Sequence, residues 1–278
     1  CSLSATTLDC AKVVADKLHL PVIMVPTVAA TNAASSACAV IYTPEGVFES
    51  VYYEVDSPNA ILVDSEIIAK SPAKFLIAGM GDAFATWFEA VGCLRTESPN
   101  SVDGRQTNIA MLIARACYEN LLVYGEAAAL AAEEHIVTPA LERIIETNIL
   151  YSGIGFESGG LAAAHAIHNG FTVFPETHAY YHGTKVALGV LAELHLTDAE
   201  PALLDEAYDF CRKVGLPTTL VEIGLQNLTY EDIYKIAVFA HEDPYMCHDG
   251  AHINPEQIAA AIIVADKMGR VYKQPMLG

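Results

Sequence analysis

The periodicity of the chain changes at Ser71-Pro72, and this change limits the possible folds more than any other feature. Before it, short apolar runs of strand length alternate with turn residues. Pro21-Val22-Ile23-Met24-Val25, closed by Pro26, has the uninterrupted apolar character of a strand buried on both faces. Further strand-like runs cover 39–42, 47–53 and 60–63, with the turn residues Thr43-Pro44-Glu45-Gly46 between the first two. One helix precedes them, because Leu8, Ala11, Val14, Ala15 and Leu18 recur at helical spacing over 7–18. From Pro72, suited to the first turn of a helix, the strand pattern stops. Stretches rich in Ala, Leu and Glu predict helices over 83–95, 106–132, 138–151, 183–196, 202–213, 231–241 and 255–272. The expected protein is mainly α: an α/β piece at 1–71 and an all-helical domain at 72–278.

A chain of 278 residues with 53% hydrophobic content has enough apolar material for two packed units. Only 18% of residues are charged, and 34 acids against 15 bases leave a formal net charge of −19. That charge argues against nucleic acid or an anionic membrane as a partner and suits an enzyme acting on a neutral small molecule. The seven cysteines form no CxxC pair and no dense framework, which reads as reduced, cytoplasmic cysteine. No run approaches the roughly 18 apolar residues that a spanning helix needs. The start, CSLSATTLDCAKVVADK, has no basic segment followed by an apolar one, so it does not read as a secretory signal. It also lacks Met, as a fragment or a processed chain would.

Three local patterns can carry chemistry. In Gly79-Met80-Gly81-Asp82-Ala83-Phe84-Ala85-Thr86-Trp87-Phe88-Glu89, the residues Phe84, Trp87, Phe88 and Val91 form an apolar helical stripe. Asp82 lies off that stripe with Thr86 and Glu89, either as a helix N-cap or as a ligand. In Ala163-Ala164-His165-Ala166-Ile167-His168-Asn169-Gly170, two imidazoles sit at i and i+3 on a helix of small residues. A single histidine there is usually a satisfied core residue, while two on one face point towards ligation. In His178-Ala179-Tyr180-Tyr181-His182-Gly183-Thr184-Lys185, His182 stands at a helix entrance, as a capping residue or a ligand. One carboxylate and several imidazoles from separate helices make a mixed O/N set suited to Zn²⁺ with an open position. Spacing alone leaves their convergence open.

The runs VPTVAATNAASSACAVIYTPEGVF, ILVDSEIIAKSPAKFLIAGMGDAFATWFEA, ESGGLAAAHAIHNGFT and YYHGTKVALG occur in this order. On them the chain resembles the iron-containing alcohol dehydrogenase family, in particular its glycerol-oxidising members, over about residues 7–278. The resemblance implies a dehydroquinate synthase-like fold. Residues 1–71 would then be the carboxyl-terminal part of an NAD-binding α/β domain, and 72–278 an all-helical metal-binding catalytic domain. It implies Asp82, His165 and His182 as catalytic metal ligands for Zn²⁺, with Fe²⁺ or another divalent ion as the alternative. His168 and His178 would sit nearby.

The same resemblance assigns the cofactor NAD to Thr7, Asp9, Thr27, Val28, Ala29, Ala30, Ser36, Cys38 and Tyr42, and the substrate to Asn32. The implied reaction is zinc-dependent, NAD-linked oxidation of glycerol or other 1,2-diols to the hydroxyketone, in a cytoplasmic homo-oligomer, an octamer by resemblance. Three departures bear on this. Leu3-Ser4-Ala5-Thr6 stands where the family has a Gly-Gly-Gly-Lys phosphate loop, and side chains there obstruct backbone approach to a pyrophosphate. The family's first βαβ portion, about one mononucleotide-binding half, has no counterpart. Asn32 stands where the family's glycerol-oxidising members carry Asp, keeping the shape without the charge. The alternatives are a substrate such as a 2-hydroxy acid, or a truncated inactive subunit.

Overall fold

The computed structural model describes residues 3–43, 48–53, 56–250 and 252–273. The elements begin with α1 (Leu3–Leu18), β1 (Ile23–Met24), β2 (Cys38–Tyr42), β3 (Phe48–Tyr53) and β4 (Ala60–Ile61). Among the described residues, helices follow without further strands: α2 (Ser65–Ala69), α3 (Ala73–Thr96), α4 (Asn108–Glu133), α5 (Pro139–Glu146), α6 (Ser152–Gly159) and α7 (Ala163–Phe171). The last are α8 (His182–Leu196), α9 (Pro201–Val214), α10 (Tyr230–Glu242) and α11 (Pro255–Tyr272).

The helix boundaries follow local chemistry. Thr107 caps α4 by accepting from Ala110 N, and Thr138 caps α5 from Leu141 N with Pro139 in the first turn. Asn254 and Gln257 form a capping box on α11, as Thr229 and Asp232 do on α10. Gly215, at φ 81°, ends α9 in the left-handed conformation.

The strand region differs from the sequence reading in one respect. β1 pairs in parallel with β4, Ile23 opposite Ala60, and β2 pairs antiparallel with β3. The run 21–25 is not buried on both faces: Met24 is 1% exposed and lies in the core, whereas Ile23 is 64% exposed. A pleated strand directs alternate side chains to opposite sides, and here only one side is covered. Pro44, Glu45 and Gly46 of the expected turn lie outside the described residues.

α3 is the central element and packs against α4, α6 and α8. Its side chains are buried on nearly every face from Leu76 to Cys93, as expected of a helix enclosed by others. Phe84 packs against Phe210 at 4.7 Å between ring centres, and Phe88 lies edge-on to Tyr118 at 5.2 Å. The helix starts at Ala73 rather than 83, so Asp82 lies well inside it and the N-cap reading of Asp82 falls. The region 138–151 is likewise not one α-helix, because a π-helical turn over Thr147–Tyr151 joins α5 to α6. Periodicity cannot register the one extra residue in such a turn.

Candidate metal centre

The centre begins at a contact between two glycines. A Cβ at Gly81 would collide with the carbonyl of Gly183, and one at Gly183 would collide with the carbonyl of Ala78. Backbone of α3 therefore lies directly on backbone of α8. Asp82 follows the first glycine and His182 precedes the second, so the crossing delivers carboxylate to imidazole. His182 Nε2 is 3.3 Å from Asp82 Oδ1, and His165 Nε2, arriving from α7, is 3.6 Å from the same oxygen. Asp82, His165 and His182 each offer a ligand atom within 4.8 Å of the others, the one such group among the described residues.

Asp82 is 2% exposed, while the His165 and His182 side chains are 12% and 24% exposed. The group is thus walled by protein behind the carboxylate and reachable from the imidazole side. Asp82 Oδ1 and His182 Nδ1 are buried without a hydrogen-bond partner. The oxygen that meets both imidazoles thus makes no hydrogen bond, and a divalent cation ligated by it and by them would satisfy it, so the residues present fit a metal. Carboxylate plus imidazole is a donor set for zinc or iron and does not select between them.

His165 is held from behind. Its Nδ1 lies 2.7 Å from Glu89 Oε2, while Glu89 Oε1 accepts from the backbone N–H of Ala162 and His165, each at 2.9 Å. Glu89 is two turns beyond Asp82 on the same helix and fully buried. This leaves Nε2 to face Asp82, the carboxylate–histidine arrangement that orients a ligand. The α7 N-terminus, which has no capping side chain of its own, is completed by Asp249 on Ala163 N and Glu193 on Ala164 N.

The charges follow from these contacts. Burial would raise the Asp82 carboxyl, but His182 and His165 hold it well below the usual carboxylate range. Burial would lower His165, but Glu89, with Asp82, pushes it up to about 10. Burial, reinforced by His182 and Lys185, holds His168 well below its usual value. His168 packs its ring 4.3 Å from that of His182, and its Nδ1 meets Asn169 Oδ1 at 3.0 Å. His178 is turned away to the Thr172 carbonyl at 2.9 Å.

The loop between β1 and β2 runs beside the centre. Asn32 N–H donates to Asp82 Oδ2 at 3.4 Å and its Nδ2 donates to Ser152 at 3.0 Å. Thr27 is exposed and Val28 half-buried, whereas Ala29 and Ala30 are buried. Asp9, Ser36 and Cys38 gather instead around Lys12: its Nζ pairs with Asp9 at 3.1 Å and donates to Ser36 O, Ser36 Oγ and Cys38 O. Their polar groups are occupied within the protein. Thr7 lies on the exposed side of α1, and Tyr42 closes β2 opposite Phe48. Sequence reasoning grouped Asp82 with Glu89 but gave Glu89 no role. It missed Lys12, Asn148, Ser152, Glu193 and Asp249, whose partners are remote in the chain.

Residues 4–72 match the profile of the iron-containing alcohol dehydrogenases. The glycerol dehydrogenase of Thermotoga maritima is 52% identical over 268 residues, covering 96% of this chain and 74% of the relative. That of Escherichia coli is 45% identical over 276 residues, covering 96% and 73%. The crystal structure of a probable glycerol dehydrogenase from Sinorhizobium meliloti superposes with a TM-score of 0.92 at 40% identity, covering 95% of this chain and 75% of that one. With half its residues shared over most of both chains, and with the metal-binding geometry assembled, this chain belongs to the iron-containing alcohol dehydrogenase family.

Proposed function

We propose that the chain is an NAD-linked, zinc-dependent dehydrogenase that oxidises glycerol and related 1,2-diols to hydroxyketones. The observation that carries the reading is the convergence of Asp82, His165 and His182 around a buried carboxylate oxygen that makes no hydrogen bond. The glycerol dehydrogenases among its relatives support the substrate class.

When bound, a divalent metal supplies Lewis acidity to a substrate hydroxyl, and the nicotinamide takes up the hydride. The chain's own contribution is placement. Asp82 brings negative charge and the two imidazoles bring neutral donors. Glu89 keeps the His165 ring aimed, and the Asn32 amide contacts the second carboxylate oxygen of Asp82, Oδ2. Thr27, Val28, Ala29 and Ala30, on the loop that also carries Asn32, are the proposed nicotinamide contacts. A small polyol, a cytoplasmic setting and a homo-oligomer complete the reading. Among the described residues no helix is long and apolar enough to cross a membrane.

Bound metal per chain, measured by elemental analysis for the parent and for His182→Ala, tests the centre. About one zinc per parent chain, lost in the variant, is expected. NADH titration by fluorescence then tests the cofactor. A second reading, a 2-hydroxy acid substrate, is favoured by the uncharged Asn32 beside Asp82. Higher kcat/KM for lactate than for glycerol would select it.

A further inference from the structure

We infer that the π-helical turn between α5 and α6, acting chiefly through Asn148, is the device that holds the β1–β2 loop against the metal centre; Asn148 is a positioning residue. The inference rests on the proposed function for its kinetic consequences but not for its geometry.

Asn148 lies in the middle of the π turn and is 1% exposed. Its Nδ2 donates to two carbonyls at once, Ala29 O and Leu76 O, both at 3.0 Å. One amide thereby fastens the loop residue Ala29 to the first turns of α3. The next residue continues the grip: Ile149 O accepts from Ser35 Oγ at 2.5 Å. Three residues later Ser152 Oγ accepts from Asn32 Nδ2 at 3.0 Å. Successive contacts at 148, 149 and 152 thus take hold of Ala29, Asn32 and Ser35. In the π turn the Ser152 N–H bonds to Thr147 O, a five-residue step, and this altered register lets backbone carbonyl and side chains face the loop from consecutive positions.

Two glycines make room. A Cβ at Gly79 would collide with both Ala29 O and Asn148 Nδ2, and one at Gly153 would collide with Ser35 Oγ. The loop so held is the one whose Asn32 N–H reaches Asp82 Oδ2. The Oδ1 of Asn148 is buried without a partner. A packing role alone would be served by an apolar residue of similar size, so the amide points to the two bonds made by Nδ2.

The test compares the full chain, zinc-loaded, with Asn148→Ala and, separately, Ser35→Ala. Hydrogen exchange of residues 29–36 is read by mass spectrometry, with α4 as the internal reference. Steady-state KM and kcat are measured for glycerol and NAD⁺, and zinc content is measured in parallel. The expected result is exchange in 29–36 at least tenfold faster, with α4 unchanged. KM for both substrates should rise about tenfold, with kcat within twofold and zinc near one per chain. Ser35→Ala should give the same pattern, weaker. A merely structural role would lower Tm and the active fraction while leaving KM and the relative exchange of 29–36 as in the parent, and that result overturns the inference. If Asn148→Ala does not fold, Ser35→Ala alone decides by the same criteria. A parent chain without NADH binding or turnover would count against the proposed function, while the exchange comparison would still decide the role of Asn148.

Discussion

The Glu89 carboxylate makes three hydrogen bonds, two to backbone N–H groups and one to the His165 ring. Glu89→Gln keeps the size but offers the ring an N–H donor where it needs an acceptor. Metal affinity is expected to fall by roughly 10–100-fold, read by competition with a chromophoric chelator; unchanged affinity would remove Glu89 from the centre. His165 gives a pH prediction. Its ordinary value of 6.5 is pushed up to about 10 by Glu89 and Asp82, so the folded, metal-stripped chain holds this proton more tightly than the unfolded chain does. That contribution to stability is fully present below pH 6.5 and is lost as pH rises through about 10. Metal must displace the same proton, so zinc affinity should climb across that window. Thermal melts of the stripped protein from pH 6 to 10, with His165→Gln beside it, check the first part. Parallel curves for the two proteins would contradict it.

At the scale of elements, the α7 N-terminus is completed by carboxylates from elsewhere in the chain. Burial, together with Asp249 and Glu89, raises the Glu193 carboxyl well above its usual range. Glu193→Gln then removes little, because an amide oxygen can still accept from Ala164 N. Its effect in urea unfolding should stay below about 1 kcal/mol, whereas Glu193→Ala, which strands that N–H, should cost about 1–3 kcal/mol. The α3–α8 crossing is tighter still. Gly183→Ala should cost about 1–3 kcal/mol through overpacking and should lower bound zinc even in the folded fraction, because the helices must part where Asp82 meets His182. The sequence disclosed most helices to within a few residues, since α4, α8, α9, α10 and α11 each carry periodicity bounded by Pro, Thr, Asn or Gly. It placed the ligand residues only as separate patterns. Their meeting depends on Gly81 and Gly183, whose role is to occupy no space, and no local pattern announces such a role. The π turn escaped for a related reason: one added residue shifts a helical register without altering its composition.

For the whole molecule, the metal centre and the main core are adjacent but distinct. The apolar cluster runs from Met24 through Phe84, Leu121 and Ile167 to Ile262 without relying on the ligand atoms. Without metal, Asp82 still faces the imidazoles of His165 and His182. Removing the metal with a chelator should therefore leave the helical circular dichroism intact and lower Tm by only a few degrees. Zinc at about 100 times its Kd should restore about 2.7 kcal/mol. Collapse of the helical signal on chelation would mean that the centre nucleates the fold. The close contact of α3 with α8 also has an evolutionary consequence. Every substitution of a glycine adds atoms, so positions 81 and 183 have no smaller or equal-sized alternative to drift through. In a saturation library selected for zinc retention, these chemically inert positions should tolerate as few replacements as the ligands themselves, and fewer than the half-buried His178. Inheritance of the activity would then be limited by sites that take no part in its chemistry.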